Sequence, residues 1–177
     1  MHGKDTDPTQ KWYPWIANEM EKMGIPHIAP TLPNASNPLM SEWLYELKKT
    51  APDENTILVG HSRGGVAILR YLEILPEDKR VKKVILLGTN SGSNKEVSIT
   101  DRSSGFYTEG GYDFEKIKKH CDDFVVMHSK DDPWVPFEHG EENAKGLGAK
   151  FLQFEDYQHF GKGTNEIPEL LEEITSP

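Results

Sequence analysis

With 177 residues and a net charge of −9, the chain is expected to form one domain spanning residues 1–177. The negative charge and the lack of any Lys/Arg cluster argue against nucleic acid as a partner, and no apolar run approaches the roughly 18 residues of a transmembrane helix. Because the first residues lack the apolar core of a signal peptide and Cys121 is the single cysteine, we expect a cytoplasmic protein with no internal disulfide and no membrane partner.

Apolar strands alternate with amphipathic helices along the chain. Helices are predicted over 9–23, 38–49, 63–75 and 166–174, and strands over 25–29, 56–59, 81–87, 124–129 and 151–154. The first helix carries an apolar stripe that ends at Gly24, and the second begins beside Asn37 and Pro38, which are typical of helix starts. This alternation favours an α/β fold, and we predict a three-layer α/β/α sandwich around a mostly parallel sheet.

The motif Gly-His-Ser-Arg-Gly at 60–64 lies between a predicted strand and a predicted helix. A serine on such a sharp turn is held in a strained backbone conformation with its hydroxyl exposed, which is the geometry of a nucleophile elbow. We expect Gly60 and Gly64 to pack against each other, where a Cβ would clash. The helix would direct its unbonded N–H groups toward the space above Ser62, which we predict to be a catalytic nucleophile.

An aspartate and a histidine follow Ser62 in the chain, each just after a predicted strand. We predict that His159 removes the Ser62 proton, since the ordinary pKa of histidine is about 6.5. For the carboxylate that orients His159 we choose Asp132, because Pro133 favours an extended geometry in the residue before it, while Asp131 stays an alternative. The order Ser, Asp, His is that of an α/β-hydrolase triad.

Such a triad works with two backbone N–H groups that bind the oxyanion. The N–H of Arg63, directly after the nucleophile, is the first candidate. We expect the second from the run His2-Gly3-Lys4, where Gly3 would allow a close approach and Lys4 would donate its N–H.

Residues 88–112 show no clear periodicity and are rich in Gly, Ser, Thr and Asn. A loop of this length after a strand of an α/β sheet is a candidate lid or pocket wall, although an ordinary surface loop fits the same pattern. We expect an apolar substrate pocket for a small acyl group. Its candidate side chains are the four aromatics Phe106, Tyr107, Trp134 and Phe160.

These residues resemble those of the small serine-hydrolase family that includes retinoblastoma-binding protein 9 and the bacterial YdeN-like hydrolases. The similar segments are His-Gly at the start, Trp-Tyr-Pro-Trp at 12–15, Gly-His-Ser-Arg-Gly at 60–64, the stretch 113–121, Ser-Lys-Asp-Asp-Pro-Trp-Val-Pro at 129–136 and Gln-His-Phe at 158–160. The resemblance implies a compact α/β hydrolase with a minimal cap. It gives catalytic roles to Ser62, Asp132 and His159.

The start of the chain departs from the family pattern. Family members begin with an apolar strand that leads into the His-Gly turn, whereas this sequence opens at Met1-His2-Gly3. We therefore expect the first strand of the family to be missing, which would leave backbone groups of neighbouring strands without partners and weaken the oxyanion role of Lys4. A start site assigned too far downstream would explain this, and a stop codon directly upstream of Met1 would contradict that explanation.

Together these features predict an esterase-like serine hydrolase that cleaves a small ester or amide through an acyl-enzyme on Ser62. Amide hydrolysis and acyl transfer use the same groups, so the fold does not choose among them. The alternative is a non-catalytic binding protein that uses the same fold and pocket. The seven histidines show no metal-binding spacing, so we expect no metal and no cofactor, with a small-molecule acyl substrate as the partner.

Overall fold

A sheet of four parallel strands forms the centre of the protein. The computed structural model describes residues 1–95, 98–161 and 163–176. The strands are β1 (Ile57–His61), β2 (Lys83–Leu87), β3 (Phe124–Ser129) and β4 (Lys150–Phe154), and they lie in the order β1-β2-β3-β4. Because all four strands run in the same direction, their carboxyl ends meet at one edge of the sheet. Parallel α/β sheets bind their ligands at that edge.

The described residues contain seven helices. These are α1 (Tyr13–Lys22), α2 (Met40–Lys49), α3 (Arg63–Glu73), α4 (Ile99–Ser103), α5 (Phe114–Lys118), α6 (Phe137–Leu147) and α7 (Pro168–Thr175). A proline in the first turn starts α1, and α6 ends at Gly148, whose φ of 66° is left-handed. Within the described residues, none of these helices has the length and apolar character that crossing a membrane requires.

Alternate residues of the strands face two hydrophobic cores, one on each side of the sheet. On one side Leu86 and Val126 pack with residues of α2, α3, α5 and α6. On the other side Ile85 and Val125 pack with residues of α1 and α7. Strands buried on both faces are apolar at nearly every position, which explains the continuous apolar runs in β2 and β3. The predicted three-layer sandwich is therefore confirmed.

Most predicted elements are present, with shifted ends. The strand β3 spans the predicted residues, and α2 ends at Lys49 as expected but begins at Met40, without a side-chain cap. The pattern of the sequence does not indicate α5 or α6. The first has only five residues, and the second contains Gly140 and Gly146, which weaken a helical pattern.

The predicted strand over 25–29 is wrong. The segment has no regular secondary structure, and Ile28 is 69% exposed. A strand persists only where a neighbour bonds its N–H and C=O groups. This segment and β1 both line one groove, and the segment is not part of the four-stranded sheet. The apolar pattern of the sequence is therefore present without the partner that would make it a strand.

The segment 88–112 is attached to the helix that follows the serine. It contains α4, and the buried guanidinium of Arg70 on α3 donates hydrogen bonds to the carbonyls of Gly92, Phe106 and Gly111. These bonds fit a wall of the site better than a loose surface loop. Residues 96 and 97 of the segment lie outside the described residues.

Candidate active site

Ser62 lies at the turn between β1 and α3, at the carboxyl edge of the sheet. Its φ of 53° and ψ of −122° are strained for a residue with a side chain. The turn is held in part by the Ser62 N–H, which donates to the carbonyl of Leu87 at 2.7 Å. The residue is partly exposed, in the strand–turn–helix arrangement that its sequence motif predicts.

Glycines around this turn permit close packing, but with different partners from those expected. A Cβ on Gly60 would lie 2.5 Å from the Cα of Gly65. A Cβ on Gly64 would lie 2.5 Å from the carbonyl oxygens of Met1 and His2. The expected contact between Gly60 and Gly64 is therefore wrong. Because successive residues of a helix point in different directions, it is Gly65 that faces β1, while Gly64 admits the N-terminal backbone.

His159 and Asp132 form a hydrogen-bonded chain with Ser62. Ser62 Oγ lies 2.8 Å from His159 Nε2, and His159 Nδ1 lies 2.7 Å from Asp132 Oδ2. Because an ionised carboxylate only accepts, Nδ1 carries the proton, and Nε2 can accept the proton of the serine hydroxyl. The Asp132 side chain is buried, and its Oδ1 accepts the N–H groups of Trp134 and Val135 at 2.8 and 2.9 Å. These donors hold the carboxylate in one orientation.

Asp131 contacts the loop that carries His159, but not the imidazole. Its Oδ1 accepts the N–H of Gln158 at 2.8 Å and the hydroxyl of Ser129 at 2.6 Å. The structure therefore places Asp132 against His159. Asp131 instead holds Gln158, the residue before His159.

His61 and Tyr13 support the site from the interior, a role that the sequence analysis does not assign to them. His61 Nε2 lies 2.7 Å from the carbonyl oxygen of His159, and its Nδ1 lies 2.8 Å from the hydroxyl of Tyr13. Burial lowers the pKa of His61 well below 6.5, so the ring is neutral and carries one proton. Because a carbonyl only accepts, that proton is on Nε2, and Nδ1 accepts the hydroxyl proton of Tyr13. The position of His61 directly before the serine is the sequence signal that could have revealed it.

Gly88 leaves room for the pair formed by His159 and Asp132. It follows the last residue of β2 with a φ of 52°. A Cβ there would lie 3.0 Å from His159 Nδ1 and 3.3 Å from Asp132 Oδ2. The imidazole and the carboxylate therefore meet directly above the end of β2.

Comparison with known proteins identifies the family of the chain. The family model described as serine hydrolase matches residues 1–173. The chain belongs to the serine hydrolase family. This hydrolase is 30% identical to the YdeN protein of Bacillus subtilis (strain 168) over 180 residues, which cover 99% of the chain and 93% of YdeN. It is 31% identical to serine hydrolase RBBP9 of Rattus norvegicus over 170 residues, which cover 95% of the chain and 87% of that protein.

Solved structures share the fold of the hydrolase. The crystal structure of the ydeN gene product from B. subtilis matches with a TM-score of 0.88 and 29% identity, covering 98% of this chain and 94% of that one. The esterase RhEst1 from Rhodococcus sp. ECU1013 matches with a TM-score of 0.67 and 14% identity, covering 98% and 86%. At the latter identity the likeness shows the fold alone. The predicted family and α/β-hydrolase fold are confirmed, and the protein is a serine hydrolase.

Both expected oxyanion donors are next in sequence to a residue of the turn or in contact with it. Arg63 directly follows Ser62, and Lys4 directly follows Gly3. Arg63 is the first residue of α3, so its N–H is one of those that a helix start leaves without an intrahelical partner. Gly3 packs against Ser62, since a Cβ on Gly3 would lie 3.1 Å from Ser62 Cβ. The Gly3 N–H donates to the Tyr13 hydroxyl at 3.4 Å. Lys4, the next residue, is exposed, and its role as second donor stays a prediction.

The four aromatics expected in the pocket have different surroundings. Phe106 and Phe160 are fully buried and Tyr107 is 8% exposed, whereas Trp134 is 78% exposed. Phe106 packs edge-on against Trp43 at 5.2 Å between ring centroids, so its ring belongs to the core beneath the site. Of the four rings, that of Trp134 is the one largely exposed to solvent, and the pocket roles of these residues stay predictions.

The Arg63 side chain connects the segment 88–112 to the turn. Its buried guanidinium lies 2.7 Å from Asp101 Oδ1 on α4. It also lies over the rings of Phe106 and Tyr107, at 5.4 and 5.5 Å from their centroids. Arg63, directly after Ser62, therefore holds the segment 88–112 against the turn. Across the part of the chain that the structure describes, no group of three or more His, Cys, Asp or Glu side chains is placed to hold a metal ion.

Proposed function

We propose that this hydrolase cleaves a small ester or amide through an acyl-enzyme on Ser62, with His159 as the base and Asp132 as the carboxylate that orients it. The supporting observation is the pair of hydrogen bonds that joins the three side chains, at 2.8 Å and 2.7 Å. A serine hydroxyl is a weak nucleophile until an adjacent imidazole accepts its proton, and this arrangement supplies the imidazole.

In the acylation step, Ser62 Oγ attacks the carbonyl carbon of the substrate while its proton moves to His159 Nε2. His159 then gives that proton to the leaving alcohol or amine as the C–O or C–N bond breaks. Asp132 stays ionised and stabilises the imidazolium, while the N–H groups of Trp134 and Val135 hold it in place. Water then attacks the acyl-enzyme with His159 again as the base, which releases the acid and restores the serine.

The oxyanion of the tetrahedral intermediate would be bound by the backbone N–H groups of Arg63 and Lys4. The strained turn at Ser62 and the start of α3 support the first donor. The packing of Gly3 against Ser62 supports the second, because it brings the backbone of the N-terminal turn beside the nucleophile. A single donor of this kind is worth about 10²–10³ in kcat in other serine hydrolases.

A small acyl group suits the surroundings of the serine. The ion pair of Arg63 with Asp101 holds the wall formed by the segment 88–112 next to the turn. Trp134 lies two residues after Asp132, beyond the end of β3. Its exposed ring would meet an apolar part of the substrate. A close wall and an exposed aromatic favour short, compact acyl groups over long chains.

The test is hydrolysis of p-nitrophenyl esters of increasing acyl length, from acetate to octanoate. We expect the highest kcat/KM for the short esters, with a rapid initial release of p-nitrophenol that is stoichiometric with the protein. The Ser62→Ala variant should show neither the release nor the turnover. A folded protein that hydrolyses none of these esters, or the matching anilides, and gives no initial release would favour the binding-protein alternative.

A further inference from the structure

His128 is a fully buried histidine near the end of β3, and no step of the proposed mechanism uses it. Its side chain lies on the same face of the sheet as that of Val126, where it packs against α6. Gly140 of α6 makes this packing possible, because a Cβ there would lie 2.6 Å from His128 Nδ1. The ring of Phe137 meets the imidazole edge-on, with 5.8 Å between the ring centroids. The imidazole is therefore held in one orientation.

The Nε2 atom of His128 faces two groups of the loop that joins β3 to α6. It lies 3.0 Å from the carbonyl oxygen of Val135 and 3.5 Å from Asp132 Oδ2. Burial lowers the pKa of His128 below 6.5, so the ring is neutral and carries one proton. Because a carbonyl only accepts, that proton is on Nε2. His128 therefore donates to Val135 and places a polar N–H beside the carboxylate of Asp132.

Val135 connects His128 to the carboxylate that contacts His159. The N–H of Val135 donates to Asp132 Oδ1 at 2.9 Å, and its carbonyl accepts the proton of His128 Nε2. The other carboxylate oxygen, Asp132 Oδ2, lies 2.7 Å from His159 Nδ1. A displacement of Val135 would therefore move a donor that fixes the carboxylate. The orientation of Asp132 thus depends on a side chain four positions earlier, on β3.

The second ring nitrogen of His128 shows that packing alone does not account for a histidine here. Within the residues that the structure describes, His128 Nδ1 is buried and has no hydrogen-bond partner. Burying a polar atom without a partner costs free energy. An apolar side chain, like those of the neighbouring Val126 and Met127, would avoid this cost. The Nε2–H group is the feature of His128 that an apolar side chain would not supply.

We propose that His128 is a positioning residue for Asp132. Its Nε2–H holds Val135, and Val135 in turn holds the carboxylate that orients His159. The inference rests on the function proposed above. Because His128 is fully buried, it would not contact the substrate and acts only through Asp132. Such an action is consequential, because a displacement of about 1 Å in a catalytic group can cost about 10²-fold in rate.

The test compares His128→Phe, which removes the donor, with His128→Gln, whose amide N–H can replace Nε2–H. Both are assayed by steady-state hydrolysis of p-nitrophenyl acetate. We expect kcat to fall by roughly tenfold or more in His128→Phe, with KM changed by less than about threefold. In His128→Gln, kcat should return to within about threefold of the parent.

His120→Phe is the matched control. His120 is also buried, and its Nδ1 lies 2.7 Å from the carbonyl oxygen of Lys79. It precedes β3, so it lies at the edge of the parallel sheet opposite to the one that carries the site. Its replacement removes a comparable hydrogen bond far from Asp132, and kcat should stay close to that of the parent.

Two further variants show whether His128 acts through Asp132. In an Asp132→Asn background, His128→Phe should lower kcat by less than about twofold, because the carboxylate that it positions is gone. Gly140→Ala places a Cβ against the His128 ring and should reproduce the loss seen in His128→Phe. Gly146→Ala on the same helix is its control, since a Cβ there meets the ring of Phe114 instead.

Hydrogen exchange of the Val135 amide tests the positioning role without any catalysis. It should be about tenfold faster in His128→Phe than in the parent, and unchanged in His120→Phe. A parent that cleaves no ester but shows this exchange pattern would refute the proposed function and leave the positioning role intact. The positioning role would be overturned by unchanged Val135 exchange in His128→Phe, by equal losses of kcat in His128→Phe and His128→Gln, or by a full further loss in the Asp132→Asn background.

Discussion

The hydroxyl oxygen of Ser62 lies 2.8 Å from Nε2 of His159, a residue 97 positions further along the chain. Two separate strand ends bring these atoms together, since Ser62 follows β1 and His159 lies in the loop after β4. The His159 loop is fixed independently by His61, which bonds its backbone carbonyl, and by Asp132, which bonds its imidazole. The distance is therefore a property of the packed sheet rather than of one flexible loop.

Substitutions of the neighbouring residues Asp131 and Asp132 should have very different effects on activity. Asp132→Asn should lower kcat by about 10⁴, because an amide at this position favours the wrong tautomer of His159. Asp131→Asn should keep activity within about tenfold, because its Oδ1 still accepts from Ser129 and Gln158. Steady-state hydrolysis of a short p-nitrophenyl ester measures both. Equal losses in the two variants would contradict the assignment of Asp132.

Gly88, at the end of β2 beneath His159 and Asp132, should be needed for the geometry of these side chains. Gly88→Ala places a Cβ against His159 and Asp132, so we expect kcat to fall by roughly tenfold or more. Gly24→Ala is the matched control, since Gly24 also has a positive φ but a Cβ there meets nothing within 4 Å. Both variants should lose about 1–2 kcal/mol of stability from the left-handed backbone. The same kcat in both would show that the space at Gly88 does not matter.

The interior hydrogen bond of His61 should contribute to stability. Tyr13→Phe removes the hydroxyl that donates to His61 Nδ1 and leaves that buried nitrogen without its partner. We expect the free energy of unfolding to fall by about 1–3 kcal/mol in urea denaturation. Tyr45→Phe is the control, because Tyr45 is 64% exposed and its loss should have little effect. A Tyr13→Phe variant as stable as the parent would mean that water or a side-chain shift replaces the hydroxyl.

Stability should fall as the pH falls from about 8 to 5. Burial lowers the pKa of His2, His61 and His128 below 6.5, and that of the Met1 ammonium from 8.0 to about 5. In this range the unfolded chain binds more protons than the folded one, so the stabilisation is complete above the unfolded pKa values and is lost as the pH falls through this window.

Thermal midpoints at several pH values measure this dependence. A midpoint that rises as the pH falls toward 5 would contradict the burial of these basic groups.

The turn and the three candidate side chains could be predicted from sequence because each has a local signal. The motif around Ser62 combines two glycines with a strand and a helix, and Asp132 and His159 each follow an apolar strand. Local signals do not reveal packing partners. The bond between Tyr13 and His61 joins residues 48 positions apart, and the contact of Gly60 with Gly65 rather than Gly64 depends on how α3 turns above β1.

The segment 25–29 shows that an apolar sequence pattern does not by itself produce a strand. Its apolar residues suit a strand, but a strand forms only where a neighbour bonds it, and this segment lines a groove beside β1 without joining the four-stranded sheet. The exposed Ile28 is the consequence. Likewise, the sequence predicted four aromatic pocket residues. In the structure some of these rings, such as that of Phe106, are buried in the core, whereas the ring of Trp134 is exposed.

Labelling with a fluorophosphonate probe, followed by mass spectrometry, tests whether Ser62 is the nucleophile. We expect one adduct per chain, located on Ser62, in the parent and in Asp131→Asn. We expect no adduct in Ser62→Ala, and much slower labelling in Asp132→Asn. A folded parent that does not react, or a Ser62→Ala variant that reacts equally well, would contradict Ser62 as the nucleophile.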